Sequence, residues 1–99
     1  MIKIERQPIH PGEILLHDLM EPLGITQKGL AAELRTSFRT VNEIVNGKRG
    51  VSPDMALRLA KYFGMSADFW LNAQKNFELQ KAWQKNKGII KKIATRKAA

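Results

Sequence analysis

Cysteine is absent from the 99 residues, which excludes a disulfide framework and any thiolate metal site. That absence fits a reducing compartment, and a cytoplasmic protein is the expectation. Acidic residues are scarce: nine Asp and Glu stand against seventeen Lys and Arg, a formal net charge of +8 with a pI near 10.1. A balance this basic points to a polyanionic partner. No apolar run is long enough to span a bilayer and none resembles a signal peptide, so no membrane partner is expected. No segment of four or more residues alternates convincingly with period two, so no sheet is expected. A glycine-rich phosphate loop is missing. Ser37 and His17 are imaginable as nucleophile and base, yet nothing supplies an orienting third group or a glycine-flanked elbow. His10 and His17, with Glu13, Asp18 and Glu21 nearby, fall short of a zinc site, which needs four convergent ligands and usually Cys or more His. Neither an enzyme, nor a bound metal, nor a cofactor is expected.

What is present describes one small helical domain spanning residues 1–99. Hydrophobic residues make up 43% and charged residues 26%, ordinary for a globular chain, and the length suits one core. Residues 1–9 lack periodicity and read as a flexible arm. A first helix is expected from Glu13 to about Glu21, with Leu15, Leu16, Leu19 and Met20 on its apolar face and Pro22 and Gly24 as its end. Thr26 caps a second helix, Gln27 to Leu34, and Ser37 caps a third, Phe38 to about Asn46, stopped by Gly47. Ser52 and Pro53 open a fourth helix that runs to about Phe63, where Gly64 ends it. Ser66 caps a longer fifth, to about Lys85, with Gly88 as its stop. The core is thus expected over residues 10–65, a C-terminal helix over 66–87, and a basic tail over 88–99. From Lys81 to Lys97 there are seven cations and no acid, which as an isolated feature describes a solubilising tail.

The second and third helices carry the functional signal. Only Arg35 and Thr36 separate Leu34 from Ser37, too short a turn for a relaxed antiparallel hairpin, so the helices should cross steeply. Ala31 suits their closest approach, and Leu30, Leu34, Val41 and Ile44 supply the shared core. The third helix, about residues 37–46, then presents Ser37, Phe38, Arg39, Asn42 and Glu43 outward. A major groove admits one helix, whose first turns reach base edges. Arg39 matches guanine, Asn42 adenine and Phe38 a thymine methyl, while Glu43 either accepts from cytosine or orients Arg39 as its i+4 partner. Gln27, Asn46, Lys48 and Arg49 are placed to hold phosphates.

The segment GITQKGLAAELRTSFRTVNEIVNGKR resembles the lambda-repressor-like (XRE) helix-turn-helix family. HPGEIL, MALRLAKYFG and FWLNAQ, in that order, resemble the HigA-type antitoxins within it, over His10 to Ala82. The fold class expected is therefore all-α, a five-helix lambda-repressor-like DNA-binding domain with a longer C-terminal helix. The resemblance implies a homodimeric repressor on a palindromic double-stranded operator at its own promoter. It also implies an antitoxin that neutralises a HigB-type toxin, an mRNA-cleaving ribonuclease. Three positions depart from the family pattern. Arg35 stands where the turn usually has glycine, at a cost of about 1 kcal/mol if its φ is positive. Gly29 lies inside a helix, and Glu78-Leu79 replaces the usual Asp-Leu pair.

The fifth helix is apolar on two sides. Trp70, Ala73 and Phe77 face one way; Leu71, Leu79 and Ala82 face roughly the other, with Trp83 between. These aromatics at helical spacing read as core more readily than as a stacking platform for single-stranded RNA. A helix with two apolar sides needs two surfaces, its own domain and a second copy of the chain. Leu71, Leu79, Ala82 and Trp83 are accordingly the expected dimer interface. With those surfaces committed, the arm and the acidic side of the first helix remain for a toxin: Glu13, Asp18 and Glu21 would complement a basic ribonuclease cleft. Two other readings stay open: a stand-alone helix-turn-helix repressor without a toxin, and a protein-interaction module that has lost DNA binding, which an exposed Phe38 would also suit.

Overall fold

The computed structural model describes residues 7–96, so residues 1–6 of the expected arm and 97–99 of the expected tail lie outside the described residues. Each helix begins where a side chain satisfies its first free amides. His10 caps α1 (residues 11–23): its Nδ1 accepts from Gly12 N at 2.8 Å, while the Glu13 carboxylate accepts from His10 N at 3.1 Å. This reciprocal box starts the helix at Pro11, one turn-fraction earlier than the apolar pattern suggests. Thr26 caps α2 (Gln27–Glu33), Ser37 caps α3 (Phe38–Val45), Ser52 caps α4 (Pro53–Phe63) and Ser66 caps α5 (Ala67–Ile90), each hydroxyl accepting from a first-turn amide. Among the described residues no strand occurs.

Two helix ends differ from the expectation. Pro22 does not stop α1. The helix continues to Leu23 and ends at Gly24, φ 66°. Its middle, Ile14–Met20, winds as a π-helix in which Glu21 N bonds Leu16 O. The proline ring would strike the carbonyl four residues back in a regular α-helix; the wider π turns make room for it. Gly88 does not stop α5 either. It is a helical residue, and the winding ends only at Ile90. Three further residues of the expected tail therefore belong to the helix.

The core is built from Leu15 and Met20 of α1, Leu30 and Ala31 of α2, Val41, Ile44 and Val45 of α3, Met55, Ala56 and Leu59 of α4, and Trp70 of α5, with Leu34 and Val51 from the connections. Burying a large apolar side chain stabilises by roughly 1.5–3 kcal/mol, and eleven of these thirteen buried residues are larger than alanine. Ala31, the small residue expected where α2 and α3 approach, is buried.

The turn between α2 and α3 is the strained point. Arg35 has φ 56°, the left-handed conformation glycine adopts cheaply. The Arg58 guanidinium, itself held by Asp54 at 3.0 Å, reaches across from α4 and donates Nη1 to the Leu34 and Arg35 carbonyls at 2.9 and 2.8 Å. These bonds satisfy carbonyls that the end of α2 leaves free and brace the turn that a glycine would have made without strain.

Candidate nucleic-acid interface

With Val41, Ile44 and Val45 buried, α3 turns Phe38, Arg39, Asn42 and Glu43 away from the core. Phe38 is half exposed at 53%. Arg39 is the most open member, its side chain 83% exposed. Ser37 sits at the tip of the helix, but its hydroxyl is engaged: it accepts from Thr40 N at 3.1 Å and pairs with Thr40 Oγ1 at 2.9 Å.

Three contacts order this face. Asn42 Nδ2 donates to Gln27 Oε1 at 3.0 Å, tying α3 to the first residue of α2. Arg39 Nε donates to Glu43 Oε2 at 3.1 Å. Arg49, beyond the helix, donates Nε and Nη2 to the other Glu43 oxygen at 2.9 and 2.7 Å. These two guanidinium groups, Arg49 foremost, hold the Glu43 carboxyl below the usual carboxylate range. Asn46 folds back onto its own helix, donating to the Asn42 carbonyl at 2.8 Å, and Lys48 is exposed beside it. Gln27 with Asn42, and Glu43 with Arg39 and Arg49, thus form two hydrogen-bonded groups on one helix face. The sequence placed each of them near DNA but carried no sign of the Gln27–Asn42 pair or of the second arginine on Glu43, because both depend on how the turn and the loop bring distant residues together.

His10 anchors the same loop from behind. Its Nδ1 accepts from Gly12, so the neutral ring carries its proton on Nε2, and the ring, which interacts with the Arg49 backbone, meets Phe77 of α5 edge-on at 4.8 Å. Burial depresses the His10 pKa below 6.5, and protonation would replace the acceptor at Nδ1 with a donor facing another donor. The unfolded chain then binds more protons than the folded one below about pH 6.5, so stability falls as the pH drops through that range. His17 shifts the opposite way through its hydrogen bond to Glu21 and is fully exposed. Melting curves between about pH 7 and pH 5 should fall more steeply for the wild-type chain than for His10→Asn, which keeps a cap acceptor without a titrating ring; parallel curves would remove His10 from the acid response.

A second surface lies away from α3. A cleft of about 710 Å³ lies between α1 and the N-terminal half of α5, with Ile9, Ile14 and Phe69 in its walls and Glu13, His17 and Asp18 on the α1 side. Phe69 is 41% and Ile9 47% exposed. Two of the three acids singled out in the sequence, Glu13 and Asp18, meet here. Glu21 does not line the cleft and pairs with His17 at 2.9 Å. Glu13 also closes the His10 cap, so part of its role is structural.

The dimer residues divide as well. Leu71 packs against the core of its own chain. Leu79 is 44% exposed, Ala82 is exposed and Trp83 is half-buried.

The family model for helix-turn-helix domains matches residues 16–70, more than half of the chain. A solved structure of the Pseudomonas aeruginosa antitoxin HigA with the higBA promoter is 45% identical, with a TM-score of 0.84 over 89% of this chain and 97% of that one. The antitoxin GraA in complex with its operator is 38% identical, with a TM-score of 0.88 over 100% of both chains. Antitoxin HigA-1 of Vibrio cholerae is 38% identical over 80% of this chain and 74% of its own length. With the capped α2–turn–α3 unit and the outward-facing side chains of α3, these likenesses identify the chain as a member of the helix-turn-helix family, in its HigA-type antitoxin branch.

Proposed function

We propose that this protein is a sequence-specific DNA-binding repressor that reads a palindromic operator as a homodimer, and that it is the antitoxin partner of a HigB-type toxin. The observation that carries the DNA reading is the α3 face. Arg39 and Phe38 stand exposed on the first turns, with Lys48, Arg49 and the start of α2 on the same side, in a chain of net charge +8. That is the arrangement by which base contacts specify and flanking cations position. The solved operator and promoter complexes of HigA and GraA support the same partner class.

The test separates the two kinds of contact. Arg39→Ala should cost about 1–3 kcal/mol of operator binding and relax preference at one base position. Lys48→Ala should weaken binding to all duplexes alike and lower the salt dependence by about one counterion. If Arg39→Ala leaves operator affinity and base preference unchanged, α3 is not the reading helix.

For the toxin, the α1–α5 cleft is the candidate surface. It is acidic and apolar in an otherwise cationic molecule, so it would repel phosphates and attract a basic protein. Asp18→Lys combined with Phe69→Ser should leave operator binding intact and abolish rescue of cells producing the toxin. Unchanged rescue would exclude the cleft. A genomic neighbourhood without a small basic ribonuclease-like protein would favour the stand-alone repressor.

A further inference from the structure

Glu43 is the one carboxylate on the α3 face, and everything around it is cationic or polar. Its Oε2 takes Arg39 and its Oε1 takes Arg49 in a two-pronged contact, and its backbone carbonyl accepts from Lys48 N at 2.8 Å and Arg49 N at 3.2 Å. One residue therefore fixes both an exposed arginine of the helix and the course of the loop that follows. Its side chain is only 23% exposed, against 83% for Arg39 and 48% for Arg49.

The donors left over give the bridge its meaning. Arg39 spends only Nε on Glu43, so both of its terminal nitrogens remain for the bidentate contact with guanine O6 and N7. Arg49 spends one N–H each of Nε and Nη2, which leaves the two N–H groups of Nη1 and the second of Nη2 on its outer side for one phosphate group. A negative charge between two arginines also opposes every phosphate that approaches, whatever the sequence.

We propose that Glu43 is a specificity-determining positioning residue: by bridging Arg39 and Arg49 it aims the first at a base, restrains the second to one phosphate, and weakens binding to DNA that offers no matching base. This rests on the DNA-reading function proposed above and refines it, since it assigns Glu43 no base contact of its own. Arg39 without the bridge is a flexible cation equally suited to any phosphate. Arg39 with the bridge is committed to a geometry that only one base satisfies.

The experiment uses the full chain, a duplex enriched from a randomised pool by the wild-type protein, and a scrambled duplex of equal length. Glu43→Gln nearly preserves shape and removes the charge. It should bind the scrambled duplex about 3–10-fold more tightly, steepen the salt dependence by about one counterion, and lower the ratio of enriched to scrambled affinity about tenfold. In an Arg39→Ala background, Glu43→Gln should no longer alter base preference but should still steepen the salt dependence through Arg49. A purely structural role would instead weaken binding to both duplexes together and lower the melting temperature. Arg49→Gln gives an independent reading: it should leave base preference unchanged and flatten the salt dependence. Should Glu43→Gln bind both duplexes with the wild-type ratio and salt dependence, or weaken both together, the proposal is overturned while the reading helix stands. Should the wild-type protein enrich no sequence at all, the reading helix and this proposal fall together.

Discussion

Gly12→Ala is expected to lower the melting temperature by about 15 °C or more, the largest loss from any single methyl group in the domain. The α1 backbone passes so close to the end of α3 that an added Cβ would overlap the Ile44 carbonyl oxygen and crowd its carbon. Neither is the end of a flexible side chain, so relief requires one helix to move. Forcing atoms into a packed site costs about 1–3 kcal/mol when side chains can yield, and more when they cannot; for a domain of this size each kcal/mol is worth about 4–8 °C. The affected carbonyl also accepts from Gly47 N at 3.0 Å, so displacement reaches the loop that carries Lys48 and Arg49. Operator affinity should therefore fall with stability even though Gly12 faces no DNA. Gly88→Ala is the matched control. Nothing lies near its Cβ position, it sits inside a helix, and alanine there should stabilise by about 0.5–1 kcal/mol. A Gly12→Ala protein that melts within a few degrees of wild type would show that α1 and α3 do not meet as closely as described.

The contrast between those two glycines shows what the sequence reveals and what it hides. Local chemistry was legible: Thr26, Ser37, Ser52 and Ser66 are hydroxyl caps placed before apolar-periodic segments, and each caps the helix it was expected to cap. The inward face of α3 followed from its 3.6-residue period for the same reason. Signals that depend on context misled. Glycine ends a helix only when the chain adopts the left-handed conformation, as Gly24, Gly47 and Gly64 do, while Gly88 remains helical. Proline breaks a regular helix, but the π-helical winding over Ile14–Met20 accommodates Pro22. Contacts between residues far apart in sequence were invisible. The Arg58 brace on the Arg35 turn spans 23 residues, the Gln27–Asn42 pair 15, and the bond from Val51 N to Gln74 Oε1 again 23. None has a local signature, because each is set by how whole helices cross. His10 lay between the two cases. Its place at the helix entry could be read from His-Pro-Gly, but its hold on the Arg49 loop could not.

Leu79→Asp should yield a folded monomer whose operator affinity is lower by about 100-fold or more, and the reason lies in the geometry of α5. That helix has 24 residues, about 36 Å at 1.5 Å per residue, and it gives the molecule its 54 Å length against 26 and 22 Å in the other directions. Its first three turns rest on the domain: Trp70 is fully buried, Ala67 and Leu71 pack against the core, Gln74 accepts from Val51 N and Phe77 meets His10. Leu71, expected from the sequence to face a second copy, is thus largely spent on its own chain. Farther along, Leu79, Trp83, Asn86 and Ile90 follow one another at spacings of four, three and four. Leu79 and Ile90 are 44% and 39% exposed, and Ile93, past the helix end, is 70% exposed. That spacing would suit the seam of a two-helix contact, in which Asn86, whose Nδ2 donates to the Ala82 carbonyl at 3.2 Å, would be the polar position. A second copy of α5 would cover this seam in an isologous pairing. Two reading helices joined in this way engage half-sites about 34–36 Å apart, and tethering the second to the first raises affinity by roughly 10²–10⁴ without any new contact. An aspartate at position 79 buries a charge without a partner in such a seam. In the monomer the same side chain lies in water and costs little, so the variant should melt near the wild-type temperature while sedimenting at half the mass. Its binding should lose the dependence on a second half-site and keep the base preference set by Arg39. Dimers that persist in Leu79→Asp would move the interface elsewhere, and a wild-type chain that is monomeric at tens of micromolar would leave the exposed side of α5 without a partner of its own kind.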